Sequence, residues 1–117
     1  MRLLILSFFI VFSTSAVAQN WAERQGDVVL SMDEITDLIS GKVLGFYDDG
    51  QSSYRADGGY RYTYANGDTA EGRFTVKDDG RVCVTFENGR SRCDRFVSSG
   101  GRMTLLTAQG DRFPVKP

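Results

Sequence analysis

The sequence has no histidine, only two prolines and only two cysteines among its 117 residues. Without an imidazole the chain cannot build a Ser/His/Asp or Cys/His catalytic centre, and it lacks the commonest neutral metal ligand. It also has no excess of one charge, since 14 Lys and Arg residues stand against 15 Asp and Glu. A balanced chain does not present the net basic surface that binds nucleic acid or anionic membranes. These absences exclude histidine-dependent catalysis and disfavour a nucleic-acid-binding protein.

Long hydrophobic runs are missing outside the first 18 residues. There the run from Leu3 to Phe12 follows the basic Arg2 and leads to Ala16-Val17-Ala18, the small-residue pattern that signal peptidase reads. The run is shorter than the roughly 20 apolar residues of a bilayer span. We therefore predict a signal peptide at residues 1–18, a periplasmic or secreted protein, and no transmembrane segment.

The rest of the chain is too short to divide into two hydrophobic cores. We expect an extended N-terminal arm over residues 19–30 and a single β-rich domain over residues 31–117. The arm contains Trp21, which either anchors the arm to the domain or lies exposed. We expect a monomer.

One short helix is predicted at about residues 32–40. Ser31-Met32-Asp33-Glu34 has the S-x-x-E spacing of a capping box, in which the serine and glutamate side chains satisfy amide groups at the helix start. Gly41 is placed to end the helix in the left-handed conformation.

Glycine-containing turn signals follow one another from Val43 onward, most of them Asp-Gly or Asn-Gly pairs of the kind typical of primed two-residue hairpin turns. Their spacing predicts about eight short antiparallel strands. The fold class is therefore mainly β: an up-and-down meander, curled into a small barrel or bent sheet that hides its edges. Gly45 and Gly72 lie inside strands, where glycine permits bending. The predicted strands are residues 43–48, 51–56, 60–65, 68–77, 81–87, 90–98, 102–108 and 111–116.

Cys83 and Cys93 predict one disulfide bond, because an even cysteine count in an exported chain favours pairing. If the two residues face each other, the hairpin between them needs the three-residue loop Glu87-Asn88-Gly89 with Gly89 left-handed, since a two-residue turn would send the thiols to opposite faces.

The same register also determines which face the charged residues on the second strand of this hairpin occupy. It places Arg90, Arg92 and Asp94 on the same face as Val82, Val84 and Phe86. Two solutions remain open: a bulge near Asp94 that resets the alternation, or arginine stems that lie over the apolar face at an open rim.

Alternating tyrosines interleaved with arginines form the most site-like feature of the sequence. Aromatic faces beside guanidinium groups bind sugars, peptides and cations, although the same row could instead fill the inner face of a small sheet. A second cluster, Arg81, Arg90, Arg92 and Arg95, is either an anion-binding patch or a solvated face. The candidate ligand- or partner-binding residues are Tyr54, Tyr60, Tyr62, Tyr64, Arg90 and Arg92.

The patterns favour the first of three functions, with the second as the alternative, and we do not expect an enzyme. The first is a non-catalytic binding or interaction module for a protein, peptide or glycan, including an inhibitor or an envelope-associated protein. The second is a lipocalin-like carrier of an apolar ligand, and the third is an enzyme that uses Glu71 and Asp94 as paired carboxylates. We predict no metal or cofactor, because the acidic pairs Asp48-Asp49 and Asp78-Asp79 precede glycine as turn formers do and lack calcium-loop spacing. The carrier would need a cavity lined by Phe46, Phe74, Val84, Phe86 and Leu105.

Several segments also carry a family resemblance, which spans roughly residues 31 to 117. They are Leu38-Ile39-Ser40-Gly41-Lys42-Val43-Leu44-Gly45, Tyr64-Ala65-Asn66-Gly67-Asp68, Gly72-Arg73-Phe74-Thr75-Val76-Lys77-Asp78-Asp79-Gly80-Arg81-Val82-Cys83-Val84, and Cys93 followed by Pro114-Val115-Lys116-Pro117. In these the chain resembles a family of small exported alphaproteobacterial proteins grouped as a domain of unknown function, although Phe74 stands where tryptophan is common in that family. The resemblance implies an exported β-rich domain with a disulfide and no catalytic residues.

Overall fold

The computed structural model describes Ile10 and residues 20–117, so the predicted signal peptide at residues 1–18 lies, apart from Ile10, outside the described residues. The described chain forms one helix and nine strands. In chain order these are β1 Val28–Val29, α1 Met32–Ile39, β2 Lys42–Gly45, β3 Gln51–Tyr54, β4 Gly59–Thr63, β5 Thr69–Val76, β6 Val82–Phe86, β7 Ser91–Ser99, β8 Arg102–Thr107 and β9 Arg112–Pro114.

Strands β2 to β9 form one antiparallel sheet in which each strand pairs with the next along the chain. The sheet curls into a half-barrel, which confirms the predicted meander. Its two ends meet at an isolated bridge between Phe46 and Val115, where the Lys116 amide donates to the Gly45 carbonyl at 2.8 Å. This contact covers part of both edge strands.

The N-terminal segment is part of the sheet. Strand β1 pairs with β7 through Val28–Ser98 and Val29–Val97. Ahead of β1, the Asp27 carboxylate accepts hydrogen bonds from both terminal nitrogens of the Arg112 guanidinium, at 2.6 and 3.2 Å. These contacts tie the predicted arm to the last strand of the half-barrel.

Trp21 anchors this segment. The Arg95 guanidinium carbon lies 5.3 Å from the centre of the indole ring, within cation–π range. The Asn20 amide also donates to the Ala108 carbonyl at 3.1 Å. Of the two alternatives for Trp21, the anchoring one is correct.

Helix α1 has the predicted capping box. The Ser31 hydroxyl accepts from the Glu34 amide, and the Glu34 carboxylate accepts from the Ser31 amide, both at 3.2 Å. Gly41 follows the helix with a φ of 72°, the left-handed conformation expected there. The helix buries Ile35 and Ile39 completely, and these two side chains join the hydrophobic core of the sheet.

Hairpin loops of one type recur along the chain. In the β6–β7 loop, the Phe86 amide donates to the Arg90 carbonyl and the Gly89 amide donates to the Phe86 carbonyl, with Gly89 at a φ of 85°. The predicted three-residue loop Glu87-Asn88-Gly89 is therefore confirmed. The same pair of backbone hydrogen bonds closes the loops that begin at Phe46, Arg55, Tyr64, Lys77 and Thr107.

The primed two-residue turns predicted for the other glycine-containing turn signals are therefore wrong, with one exception, the Gly100-Gly101 pair. In most of these loops the central Asp or Asn accepts a hydrogen bond from the amide two residues later, as Asn88 does from Arg90 at 2.9 Å, and this favours the longer loop. The exception joins β7 to β8, where Ser99 pairs with Arg102 and both Gly100 and Gly101 have positive φ, as in a type I′ turn.

Cys83 and Cys93 are direct partners across β6 and β7 and form the predicted disulfide, with their Cα atoms 4.0 Å apart. The pairing of β7 with its neighbours runs without a bulge from Ser91 to Ser99. Of the two solutions left open by the sequence, the bulge is therefore wrong: Arg92 and Asp94 share the inner face with Val82 and Val84.

The inner face of the half-barrel is the hydrophobic core. The buried hydrophobic side chains of the core cluster are Leu30, Ile35, Ile39, Leu44, Phe46, Tyr54, Tyr60, Val82, Val84, Phe96 and Leu105.

Within the described part of the chain, no helix has the length and apolar character needed to cross a membrane.

Candidate functional site

The tyrosine row lies on the inner face of the half-barrel, and the burial of its side chains changes along the length of that face. Tyr54 and Tyr60 are 2% and 0% exposed and pack in the core with ring centres 5.2 Å apart. Tyr62 is half-buried, and Tyr64 is 52% exposed. The interpretation of the row as core is therefore correct for Tyr54 and Tyr60, whereas Tyr62 and Tyr64 remain accessible.

A cleft opens where the accessible tyrosines lie. It has a volume of about 160 Å³ and is bounded by β4, β7, β8, β9 and the loop after β2. Tyr62 and Tyr64 form one wall, with ring centres 4.9 Å apart and ring planes at 76°. The lining residues are Phe46, Asp48, Tyr62, Tyr64, Arg92, Asp94, Leu105, Thr107 and Phe113.

Arg92 is fixed by contacts on several sides. Its guanidinium carbon lies 5.8 Å from the centre of the Tyr62 ring and 5.7 Å from that of Phe86. Nη2 donates to the Tyr60 hydroxyl at 3.2 Å, and Nε lies 3.2 Å from a carboxylate oxygen of Asp94. The Tyr60 hydroxyl in turn shares a hydrogen bond with the Ser52 hydroxyl at 2.9 Å. The core therefore sets the position of the charged group in the cleft.

Asp94 is the buried member of this ion pair, with a side chain only 4% exposed against 42% for Arg92. Burial raises the pKa of Asp94 above its usual range, and the neighbouring Arg92 charge only partly offsets this. Burial is the largest single influence on the pKa of Arg92 and acts to lower it, but the charge of Asp94 and the neighbouring tyrosine hydroxyls together raise the pKa. Burial is also the main reason why the pKa values of Tyr54 and Tyr60 are raised. Asp94 therefore sits where its charge is stabilised mainly by one guanidinium.

The loop after β2 supplies the second carboxylate. Asp48 accepts a hydrogen bond from the Gly50 amide at 2.9 Å. Gly50 is buried, and a Cβ there would collide with the Tyr62 hydroxyl, so glycine allows the Tyr62 ring to lie against this loop. Burial and the charge of Asp48 both raise the pKa of Tyr62. Asp48 and Tyr62 are therefore close enough to act on the same bound group.

Of the residues predicted to bind a ligand, Tyr62, Tyr64 and Arg92 line the cleft. Tyr54 and Tyr60 lie behind it in the core, and Arg90 ends the exposed β6–β7 loop. Of the six predicted residues, the four tyrosines together with Arg90 and Arg92, only these three therefore line the cleft, because the inner face turns into the core below Tyr62.

The arginine cluster on β6 and β7 does not form one patch. Arg81 pairs with Asp79 at 2.7 Å, and Arg95 lies 3.6 Å from the same carboxylate on the outer face. Arg92 points to the inner face. Alternation along β7 separates these residues, since Arg92 and Arg95 are an odd number of positions apart.

Three groups in the cleft were not among the predicted ligand-binding residues: the buried acid Asp94, the loop acid Asp48 and the aromatic Phe113. Asp48 and Phe113 come together only because the two ends of the sheet meet. Asp94 was detectable, since Arg92, Asp94 and Phe96 alternate on one strand and Phe96 must face the core.

The geometry also bears on the other two hypotheses. Glu71 is paired with Arg61 on the outer face, whereas Asp94 faces inward, so the two carboxylates do not converge as the enzyme hypothesis requires. In residues 20–117, no group of three or more acidic or cysteine side chains is arranged to hold a metal ion. Of the five residues predicted to line a carrier cavity, Phe46, Val84 and Leu105 are buried in the packed core and Phe74 and Phe86 pack against it.

No protein-family model, curated protein or solved structure matches the chain. The geometry of the molecule itself is therefore the basis for assigning a role. It defines an antiparallel half-barrel with a disulfide on one hairpin and an aromatic cleft over a buried ion pair.

Proposed function

We propose that the protein is a non-catalytic binding module and that the cleft is its ligand-binding site. The observation that carries this proposal is the change in packing along one face: below Tyr62 the inner side chains fill the core, and above it aromatic rings line an accessible space. Binding sites are typically concave and largely apolar, with a few polar groups that orient the ligand. Arg92, Asp94 and Asp48 supply those groups here.

The ion pair supports recognition more than catalysis. Arg92 is held by Asp94, the Tyr60 hydroxyl and two aromatic rings, so its position is set before any ligand arrives. A preorganised group of this kind costs little ordering entropy on binding. The predicted acid–base partner Glu71 is on the other face. The cleft does hold a second carboxylate, Asp48, but Asp94 is engaged by Arg92 and Asp48 accepts a hydrogen bond from the Gly50 amide.

We also propose that the module is exported to the periplasm or secreted and acts as a monomer. The leader-like pattern of residues 1–18 supports export, and the Cys83–Cys93 disulfide is what an oxidising compartment allows. The monomer is supported by the exposed large hydrophobic side chains outside the cleft. These side chains, such as Val28, Val43 and Tyr47, are distributed over different elements. The family resemblance given above supports the same compartment.

The size of the cleft indicates what kind of group enters it. A pocket for a drug-sized ligand has roughly 300 to 1,000 Å³. The 160 Å³ of this cleft suits a single side chain, sugar substituent or headgroup of a larger partner. A lipocalin-like carrier of a long apolar ligand would need more room, so the binding module is the better-supported function.

The proposal is tested by mapping small fragments of varied charge onto the folded protein by ¹H–¹⁵N NMR. We expect amide shifts to concentrate on residues around Tyr62, Tyr64 and Phe113. Tyr64→Ser should weaken them, because it removes an exposed wall of the cleft without opening the core. Tyr47→Ser is the matched control, since Tyr47 is 61% exposed and does not line the cleft.

Two results would contradict the proposal. Shifts scattered over the outer face would mean that the cleft is not a preferred site. An equal loss of binding in Tyr64→Ser and Tyr47→Ser would mean that surface tyrosines act nonspecifically.

A further inference from the structure

We infer that the group bound in the cleft is a small organic cation, an alkylated or primary ammonium held against aromatic rings and the Asp48 carboxylate. This inference rests on the proposed function and names the ligand class of the same cleft.

The walls of the cleft are aromatic on several sides. Tyr62 and Tyr64 stand edge to face, and Phe46 and Phe113 belong to the elements that close the half-barrel. Ring faces attract cations, and aromatic cages for quaternary ammonium groups use several rings at once. A cavity of roughly 150 Å³ holds a group about the size of benzene. The 160 Å³ cleft therefore has room for one ammonium headgroup.

The charges that line the cleft leave one negative charge unbalanced. Asp94 neutralises Arg92 at 3.2 Å. Within residues 20–117, the ion pairs of the structure give Asp48 no cationic partner. An anionic ligand would find Arg92 already engaged and Asp48 opposing it. A cation would meet the free carboxylate of Asp48 next to the Tyr62 ring.

The next residues along the same loop hold an ammonium group in this way. The Lys116 Nζ lies 5.7 Å from the centre of the Tyr47 ring and 3.4 Å from a carboxylate oxygen of Asp49. One tyrosine and one aspartate thus hold a primary ammonium on the outside of the loop. Tyr62 and Asp48 present the same pair of groups in the lining of the cleft.

The test compares three probes of nearly the same shape and different charge: choline, 3,3-dimethylbutan-1-ol and 3,3-dimethylbutanoate. Each is titrated into the full folded protein while the amide signals of the cleft are followed by NMR. We expect choline to bind at least about tenfold more tightly than the neutral alcohol, which corresponds to about 1.4 kcal/mol. The carboxylate should bind more weakly than either.

Two matched variants assign the preference to Asp48. Asp48→Asn should lower choline affinity several-fold and leave the alcohol unchanged. Asp57→Asn is the control, because Asp57 makes the equivalent hydrogen bond to the Gly59 amide in the next hairpin loop and does not line the cleft. It should leave all three affinities unchanged.

Equal binding of choline and the neutral alcohol in the cleft would overturn the inference and leave the binding module standing, as would tighter binding of the carboxylate. An Asp48→Asn variant that keeps the full preference for choline would also overturn it. If none of the three probes shifts the cleft signals, the inference fails, and the fragment mapping decides separately whether the cleft binds another class of molecule.

Discussion

Truncation of Arg92 should have the most direct effect on the cleft. Truncating it leaves the Asp94 carboxylate buried without its ion-pair partner. Losing one partner of a fully buried pair costs about 3–5 kcal/mol, and partial hydration of Arg92 reduces this. We expect Arg92→Ala to lower the free energy of unfolding by roughly 1–3 kcal/mol at neutral pH, measured by urea denaturation.

A double-mutant cycle checks the cause of that loss. In an Asp94→Asn background, Arg92→Ala should cost clearly less, because no buried carboxylate is left unpaired. An undiminished cost would mean that Arg92 stabilises the fold through its packing on Tyr62 and Phe86 instead. The variant is therefore unsuited to testing ligand binding, for which Tyr64→Ser is the better choice.

Asp94 and Asp27 should make the free energy of unfolding depend on pH in opposite directions. The folded-state pKa of Asp94 is raised, so its favourable contribution is present below its ordinary value of 3.8 and is lost as the pH rises through the folded value. Hydrogen bonds from Arg112 and the Arg24 amide lower the pKa of Asp27, so its contribution is present above 3.8 and is lost as the pH falls through the folded value.

Urea unfolding of two variants between about pH 3 and pH 7 measures these slopes. Relative to the wild type, Asp94→Asn should gain stability as the pH rises, and Asp27→Asn should lose it. Parallel pH profiles for the two variants would show that the two carboxylates do not occupy these different environments.

At the scale of the elements, the predicted bend at Gly72 has its physical counterpart in a close approach of β5 to β6. A Cβ at Gly72 would run into the backbone carbonyl of Thr85 on β6, whereas at Gly45 it would meet only the end of the Lys116 side chain at 3.8 Å. We expect Gly72→Ala to destabilise the protein by about 1–3 kcal/mol through overpacking. Gly45→Ala should be close to neutral in the same thermal unfolding assay, and equal effects would contradict this account of the close approach.

The disulfide stabilises the β6–β7 hairpin from the outer face. Closing a loop of this length contributes roughly 3 kcal/mol in the chain-entropy description. We expect the Cys83→Ala, Cys93→Ala double variant to lose about that much in chemical denaturation and to keep its cleft, because Val82 and Val84 still face the core. Loss of the NMR signature of the cleft in the folded double variant would show that the crosslink positions Arg92.

Elements with strong local signals were predictable from the sequence, and groups that depend on closure of the sheet were not. The capping box at Ser31 follows from spacing, the Cys83–Cys93 pairing from the even cysteine count in a chain expected to be exported, and the three-residue loop from that pairing. The other loop types did not, because Asp-Gly is compatible with both a two-residue turn and the central and last positions of a longer loop. A side-chain hydrogen bond to the backbone decided between them.

The two sides of the cleft are far apart in the sequence, and this limited prediction of the site. Asp48 and Phe113 are brought together by the single bridge between Phe46 and Val115. Alternation along the strand predicted that the tyrosines share one face of the sheet. It does not predict how deeply each side chain on that face is buried. The division between Tyr60 and Tyr62 therefore had to come from the structure.

In the whole molecule, this one tyrosine face belongs to the core at one end and lines an accessible cleft at the other. Nitration of the folded, oxidised protein with tetranitromethane, followed by peptide mass spectrometry, tests this arrangement directly. We expect rapid modification of Tyr47 and Tyr64, slower modification of Tyr62, and protection of Tyr54 and Tyr60 until the protein unfolds. Modification of Tyr54 or Tyr60 in the folded protein at the rate of Tyr47 would contradict this arrangement.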